Sequence, residues 1–412
     1  MKKVLVLGSG AQGSTVARRL DLEPNVGEIL IADYDKAAVD NLVGMLKKAK
    51  GFKVDASKEE EIVKLAQGCD LVVNALPLIF AKNVLEAALK VKADYQDFAT
   101  GDNIVTGTDD NWLNGIKYEY THYREEFKKI GKLAIIGTGS APGLMCVTAR
   151  LAVRELDECE TIYMFVYEGV EAKRFLPFWW STVTAIRDMD DDAYAFVDGE
   201  VTRTPSFSNP VTRNFPEMGK PVTMYDHSHD EVVYIGLNGK EFFKGVQNVF
   251  FKYGGGGVEF AMPLKAAGLI SHEKVNFKGA EFVPAEFVVA SIPMAPKTPE
   301  EVKEIIDEGI ELDTGAFVVE AYGTKNGKKT MVETHISAPG IIESYELTGM
   351  SSEQYLTGQS GFLFTKLLVN DKMDQKGLLS SDMLSEAQVD QYMKWANELK
   401  ITAETTINPW WK

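Results

Sequence analysis

Residues Val4–Ser14 read VLVLGSGAQGS: four apolar residues run straight into a glycine turn and on into residues of helical composition. Gly8, Gly10 and Gly13 stand in the G-x-G-x-x-G spacing, with Ala11 and Gln12 between the last two. Each glycine answers a physical demand. Gly8 makes the tight turn, Gly10 lets a pyrophosphate approach the backbone, and Gly13 lets helix and strand pack closely. The helix that follows points unpaired N–H groups and the positive end of its dipole at the phosphates. On its own the spacing is weak, but a second apolar run, EILIAD, ends in Asp33, 20 residues beyond Gly13. A carboxylate there can accept both ribose hydroxyls of a dinucleotide and would repel a 2′-phosphate, so NAD is expected before NADP. Tyr34 follows it, and Asp55 and Ala56, after a third short run, are expected near the adenine. A helix N-cap is an equal alternative for Asp55.

Working outward, strand-like and helix-like runs alternate from the start of the chain as far as Gly137. Strands are expected at Val4–Leu7, Glu28–Asp33, Lys53–Asp55, Asp70–Ala75, Ala93–Phe98 and Lys132–Gly137. Helices are expected at Ser14–Leu20, Lys36–Lys50, Ser57–Gln67 and Phe80–Lys90. Strands separated by helices of this length imply right-handed crossovers, hence an α/β Rossmann fold with a doubly wound parallel sheet. From Glu160 to Ser337 aromatic and β-branched residues dominate, punctuated by Asp198-Gly199, Asn238-Gly239 and Asn326-Gly327. Those signals predict an α+β domain with a mostly antiparallel sheet, interrupted by one helix at Pro299–Gly309. The expected divisions are a dinucleotide domain over 1–143, a substrate and oligomerisation domain over 144–350, and a helical segment over 351–412 that returns to the first domain.

The bulk composition excludes several classes. The chain has 412 residues, 45% hydrophobic and 25% charged, and a formal charge of −16. That charge repels phosphates, so neither nucleic acid nor an anionic membrane is an expected partner. Cys69, Cys146 and Cys159 show no metal or disulfide spacing, and no metal is expected. The opening MKKVLVLGSG breaks its apolar run too early for a secretory leader or a membrane span, so a cytoplasmic protein is expected.

Four segments carry a family resemblance: GSGAQG at Gly8–Gly13, VVNALP at Val72–Pro77, DYQD at Asp94–Asp97 and GTGSAPGL at Gly137–Leu144. In order and spacing they resemble saccharopine dehydrogenase-like proteins, most of all the lysine 6-dehydrogenase branch, with some likeness to carboxynorspermidine dehydrogenases. TGQSGFLFTKLL and KGLLSSD, within Ser351–Asp382, look like that family's returning C-terminal segment. The resemblance implies that Asn74, Ala75, Leu76 and Pro77 run beneath the nicotinamide, that Tyr95 and Asp97 lie near the reacting carbon, and that Ala141–Gly143 leads into the second domain. It also implies hydride transfer between an amine and an imine. That chemistry needs a proton acceptor beside the amine and, for an amino-acid substrate, a cationic anion-binding group. A loop-holding role competes for Asp97, and a packing role for Tyr95.

The second domain offers further candidates. In YDHSHDEV, His227 and His229 would share one face of a strand, a geometry that suits a metal or, before it, a substrate or acid/base role, with a solvated polar strand end the leading alternative; His229 is the acid/base candidate. Arg174, Trp180 and Ser181, in a segment that resembles the family's Trp-Ser stretch, are expected to bind substrate, though adjacent tryptophans such as Trp179 and Trp180 also suit a core or a subunit interface. KYGGGG at Lys252–Gly257 lacks the Gly-Lys-Ser/Thr of a phosphate loop and reads as a turn before a helix. Trp410-Trp411 would dock on a subunit or domain surface. Three functions follow: an NAD-dependent oxidoreductase acting on the C–N bond of an amino acid or related amine, a carboxynorspermidine- or saccharopine-type reductase forming a secondary amine, and a non-catalytic NAD-binding sensor. A homodimer is expected, because an antiparallel domain exposes sheet edges that symmetric pairing covers.

Overall fold

The computed structural model describes residues 1–101 and 103–410, so Trp411 lies outside the described residues. The chain forms two compact units. The first comprises Met1–Val147 and Leu356–Leu399, the second Thr148–Tyr355 and Lys400–Lys412.

In the first unit the strands are β1 (Lys2–Leu7), β2 (Val26–Asp33), β3 (Ala49–Lys53), β4 (Leu71–Asn74), β5 (Asp94–Asp97) and β6 (Leu133–Ile136). A seventh, Gly377–Ser380, comes from far along the chain, and the order is 377–380, β6, β5, β4, β1, β2, β3. Every pairing is parallel. This is the Rossmann sheet expected from the glycine turn. β1 and the first helix, α1 (Ala11–Leu22), bury Val4, Val6, Val16, Ala17 and Leu20 against Ile29, Ile31 and Phe362. Strand order reverses at β1, between β2 and β4, which opens the crevice at the carboxyl ends where ligands bind in such sheets.

Two local expectations fail here. The helix expected over Lys36–Lys50 ends at Val43, and the third strand is Ala49–Lys53 rather than Lys53–Asp55. The lysine-rich run has helical propensity, but pairing of Ala49–Lys53 with Ile29–Asp33 overrides it. The strand Gly377–Ser380 is a buried four-residue run inside a segment read as helical.

The second unit is built on a nine-stranded mixed sheet. Its long middle strand, Glu158–Glu168, runs parallel to Asn248–Gly255 and antiparallel to Gly315–Lys325. The remaining pairings are antiparallel, as expected of this half. Asp198-Gly199 and Asn326-Gly327 each form a hairpin turn, all four residues at positive φ. Asn238-Gly239 does not turn the chain. It lies inside the helix Asp230–Phe242, and Gly239 is glycine because a Cβ there would meet Val246 Cγ1 at 2.7 Å. Helices at Thr182–Asp190, Gly256–Ala266, Pro284–Ser291 and Ile341–Thr348 accompany the expected Pro299–Glu308. The chain's last ordered element corrects the expectation for 351–412. Thr402–Pro409 is a strand at the edge of this second sheet, paired with Thr330–Ser337. No helix among the described residues is long and apolar enough to cross a membrane.

Candidate functional site

The glycine turn has the geometry of a dinucleotide cradle. Gly8 takes φ +100°, and a Cβ there would come within 2.5 Å of the Ala75 carbonyl oxygen. A Cβ on Gly13 would sit 2.0 Å from the Gly8 carbonyl oxygen. Both glycines are thus demanded by the protein itself. Gly10 differs, since nothing lies within 4 Å of the position its Cβ would take. What requires a glycine at this exposed position is the approach of a ligand. α1 begins at Gly10 without any side-chain cap and with no acidic residue in its first turn, so its leading N–H groups face an anion unopposed. Ala11 and Gln12, half-buried, form that first turn.

Asp33 ends β2 beside this turn. Its Oδ2 accepts the Ser9 backbone N–H at 2.7 Å and the Ser9 hydroxyl at 2.9 Å, while Oδ1 accepts the Asp35 N–H at 3.0 Å. The carboxylate therefore braces the turn, and its remaining lone pairs can still accept ribose hydroxyls. Tyr34 is exposed, with Lys53 Nζ 4.6 Å from its ring centroid, and Lys53 stands opposite Asp33 in the β2–β3 register. Asp55 forms a local turn. It accepts from the Ser57 N–H and hydroxyl, which, with Lys58, hold its carboxyl below the usual range. It is not the helix N-cap weighed for it, since the helix Glu59–Ala66 is preceded by Lys58 at that position, and its neighbour Ala56 is buried with its carbonyl bonded to Asn83.

At the adjacent strand ends Ala75, Leu76 and Pro77 are half-buried or exposed and border the crevice. Behind them runs a buried chain of hydrogen bonds. Leu76 N–H donates to Asn74 Oδ1 at 3.2 Å, Asn74 Nδ2 donates to the Tyr95 hydroxyl at 3.2 Å, and that hydroxyl donates to Asp97 Oδ2 at 3.0 Å. Asp97 Oδ1 takes the Gly137 N–H at 2.8 Å. Tyr95 is fully buried, and burial followed by the Asp97 charge pushes its phenol well above the usual value. These bonds link the ends of β4, β5 and β6, an arrangement that suits the packing role weighed for Tyr95 and the loop-holding role weighed for Asp97. The helix Ser352–Val369, which belongs to the same unit from Leu356 onward, bonds to the loop after β6: Ser140 and Thr357 share a hydrogen bond, and Ser360 donates to the Thr138 and Gly139 carbonyls.

The second unit gathers a different chemistry. Glu168, at the end of the middle strand, and Glu353 are half-buried. Burial pushes Glu168 up to about 7, against partial relief from Tyr253 and Trp180. Burial and then the Glu168 charge drive Glu353 higher still. The Trp180 Nε1 and Tyr253 hydroxyl beside them are buried donors without a well-aligned hydrogen bond among the described residues, although both lie near enough to steady the Glu168 carboxylate. The Tyr253 ring stacks on His227 at 4.8 Å.

The histidines do not form a strand face. The strand ends at Asp226, His227 follows it, and His229 is the N-cap of the helix Asp230–Phe242. Burial lowers His227 to about 3, so it is neutral in the physiological range. Burial also disfavours the charged form of His229, but Glu231, Asp230 and Asp188 outweigh it and hold the ring at about 9. His229 Nδ1 bonds Glu231, and its ring stacks on Phe251 at 4.3 Å. His229 is thus held as an imidazolium against Glu231 near neutral pH. Arg174 pairs with Glu304 and Glu308. Ser181 caps the helix Thr182–Asp190 and bonds Thr184. Of the three expected substrate residues only Trp180 stands beside the acidic pair. A carboxylate closing the apolar run TIYMFVYE parallels Asp33 closing EILIAD and was a readable sign for Glu168. Glu353 looks like any first-turn glutamate and gives none.

Together the turn, the open Gly10 cradle and the switch-point crevice define a Rossmann-type NAD(P)-binding protein. Residues 4–135 match the family model described as the saccharopine dehydrogenase NADP binding domain. It is 24% identical to the carboxynorspermidine synthase of Vibrio alginolyticus, over 92% of each chain. It is 22% identical to the carboxyaminopropylagmatine dehydrogenase of Synechocystis sp., over 99% of this chain and 98% of that one. In fold it resembles apo saccharopine dehydrogenase (L-Glu forming) from Saccharomyces cerevisiae, with a TM-score of 0.68 and 15% identity over 99% of this chain and 100% of that one. It likewise resembles the homospermidine synthase of Legionella pneumophila, solved in complex with NAD, with a TM-score of 0.68 and 13% identity over 98% and 91% of the two chains.

Proposed function

We propose that this protein is a nicotinamide-dependent oxidoreductase that interconverts an imine and an amine, acting on a polyamine-like amine that carries a carboxyl group. The acidic pair Glu168–Glu353, flanked by Trp180 and Tyr253, carries this reading. Two half-buried carboxylates beside an indole suit an alkylammonium, which neutralises the pair and lies against the aromatic face. The names of the curated relatives, norspermidine and agmatine derivatives with a carboxyl group, draw the substrate away from lysine and toward such amines.

In the reductive direction an aldehyde and a primary amine lose water to give an imine, and the protonated imine accepts a hydride at carbon to become a secondary amine. The bound dinucleotide supplies that hydride, or takes it up in reverse. The residues of this chain do the rest. Gly8, Gly10 and the start of α1 hold the pyrophosphate, Asp33 accepts the ribose hydroxyls, and Ala75–Pro77 border the nicotinamide side. Glu168 holds the ammonium end of the amine and, with a pKa near 7, can exchange a proton with it at neutral pH.

For the cofactor, Asp33 supports NAD over NADP. Lys53, opposite Asp33 and over Tyr34, favours the second reading, in which it pairs a 2′-phosphate. Dissociation constants for both dinucleotides, measured on the native chain and on Asp33→Ala, decide it. Under the first reading the native chain binds NAD at least tenfold tighter, and Asp33→Ala loses that margin. Equal or tighter NADP binding by the native chain sinks it. For the reaction, reduced nicotinamide consumption is followed with paired aldehydes and diamines, with and without carboxyl groups. Tight dinucleotide binding without turnover on any pair would favour a sensor instead.

A further inference from the structure

Four glycines, Gly254–Gly257, run from the end of the strand Asn248–Gly255 into the helix Gly256–Ala266, and three of them are demanded by the protein itself. A Cβ on Gly254 would meet Met224 Cγ and the Thr223 carbonyl oxygen at 2.8 Å, one on Gly255 the Glu168 carbonyl oxygen at 2.0 Å, and one on Gly257 the Phe178 ring at 2.8 Å. Gly255 also takes φ +119°. Gly256 differs. It is exposed, its φ lies outside the left-handed region, and nothing lies within 4 Å of the position its Cβ would take. Glycine costs more backbone entropy here than alanine would, so a bare backbone at this position points to a ligand that must come close, as at Gly10.

The surroundings identify what passes over it. Glu168 is the register partner of Gly255, so this helix starts beside the carboxylate that takes the ammonium. Phe260 stands on the same helix face as Gly256, one turn and about 6 Å further along the axis. Its ring centroid lies 6.1 Å from that of the buried Phe178 and 5.4 Å from that of Phe175, which is 58% exposed. Phe175 is anchored in that position. It belongs to the segment between Glu168 and Trp180, where the Lys173 N–H donates to the Gly309 carbonyl at 3.0 Å and Arg174 pairs with Glu304 and Glu308. A carboxylate at one end and aromatic rings one helical turn away suit a cation that trails a chain of methylenes. The exposed Glu259, in the first turn of the helix, disfavours a phosphate or any other anion at the same N-terminus. Given the amine–imine chemistry proposed above, on which this rests, we infer that the methylene chain of the amine runs from Glu168 over the bare backbone of Gly256 to the rings of Phe175 and Phe260, and that Gly256 is a specificity-determining residue.

Diamines of three, four and five carbons, each supplied with the same aldehyde and reduced dinucleotide, test this on the full chain, with Phe175→Ala and Gly256→Leu as variants. Each added methylene that reaches the rings should lower KM about fourfold in the native chain. Phe175→Ala should flatten that dependence to under about twofold per carbon. Gly256→Leu, whose side chain enters open space, should keep the native melting temperature and raise KM for the five-carbon amine at least about tenfold. Dinucleotide affinity, which the first unit supplies, should hold in both variants. A native KM that ignores chain length overturns the inference and leaves the oxidoreductase reading intact, as does a Gly256→Leu chain with native KM. A Phe175→Ala chain with altered sedimenting mass and native KM values overturns it too, and makes Phe175 a contact between chains. Absence of turnover with every pair sinks the oxidoreductase reading instead. Calorimetric titration of the same diamines then decides the groove: length-dependent binding that Gly256→Leu removes sustains it, and the lack of such binding overturns it.

Discussion

Replacing Glu168 by glutamine should stabilise the substrate-free protein and weaken its hold on the amine. Burial raises the carboxyl from an ordinary 4.5 to about 7. At about 1.4 kcal/mol per pH unit, keeping it ionised above pH 7 costs the fold about 3 kcal/mol. The sign is that of a raised pKa: Glu168 stabilises the fold fully below pH 4.5, and that contribution drains away as pH rises through 7. Glutamine keeps the shape and loses the titration, and it also relieves Glu353, whose own carboxyl is raised by the Glu168 charge. The gain should therefore be near zero at pH 4.5 and complete by pH 8. For a unit of about two hundred residues it amounts to roughly 6–10 °C in melting temperature. The functional change runs the other way. Loss of one member of a buried charge pair costs 2 kcal/mol or more, so KM for the amine should rise at least about 30-fold while dinucleotide affinity holds. Thermal denaturation at pH 4.5 and pH 8, with initial rates at varied amine, measures both. Equal melting shifts at the two pH values, or an unchanged amine KM, would refute the reasoning.

Other predictions concern the cradle, the buried relay and the histidines. Gly10→Ala should fold with a native melting temperature but lose dinucleotide affinity at least tenfold by calorimetry, whereas Gly13→Ala, whose Cβ collides with the Gly8 carbonyl, should lose stability as well. Tyr95→Phe removes the hydroxyl between Asn74 and Asp97 and should cost about 1–3 kcal/mol of stability in denaturant titration. If Tyr95 serves to position the strand ends, its kcat should stay within about threefold of native; a larger loss would make the phenol part of the chemistry. His229→Gln leaves Glu231 buried without its cation and should cost about 3–5 kcal/mol at pH 7. The native His229, raised to about 9, stabilises fully below pH 6.5 and loses its contribution as pH rises through 9, so stability curves of the two proteins should converge above pH 9. His227, held near 3 by burial, does the opposite: native stability should fall as pH drops below about 6.5.

How far the sequence could be read depended on whether each feature is local. The glycine turn and Asp33 were legible because their demands, a positive φ at Gly8 and a carboxylate at a strand end, fall within one strand–helix–strand unit. The strand Ala49–Lys53 was hidden because its pairing with β2 decides against its own helical composition. Gly377–Ser380 was hidden because its partner, β6, lies in the first third of the chain, with the whole second sheet but its last strand in between. In the candidate site Tyr95 and Asp97 were located correctly on β5, but a motif cannot tell a buried relay from an exposed acid. Asn238-Gly239 misled for a similar reason, since a glycine required by packing on Val246 looks the same as one required by a turn. The acidic pair escaped because Glu168 and Glu353 lie at opposite ends of the second unit's sequence, and only the folded chain sets their charges together.

The most direct test of the central claim is the destination of the hydride. Reduced dinucleotide carrying deuterium at the transferable position, supplied with an aldehyde and a carboxylated or simple diamine, should give a secondary amine with one deuterium on the carbon bonded to the new nitrogen, read by mass spectrometry. Deuterium on a carbinol carbon, or dinucleotide bound tightly with no label leaving it for any pair, would contradict an amine–imine oxidoreductase.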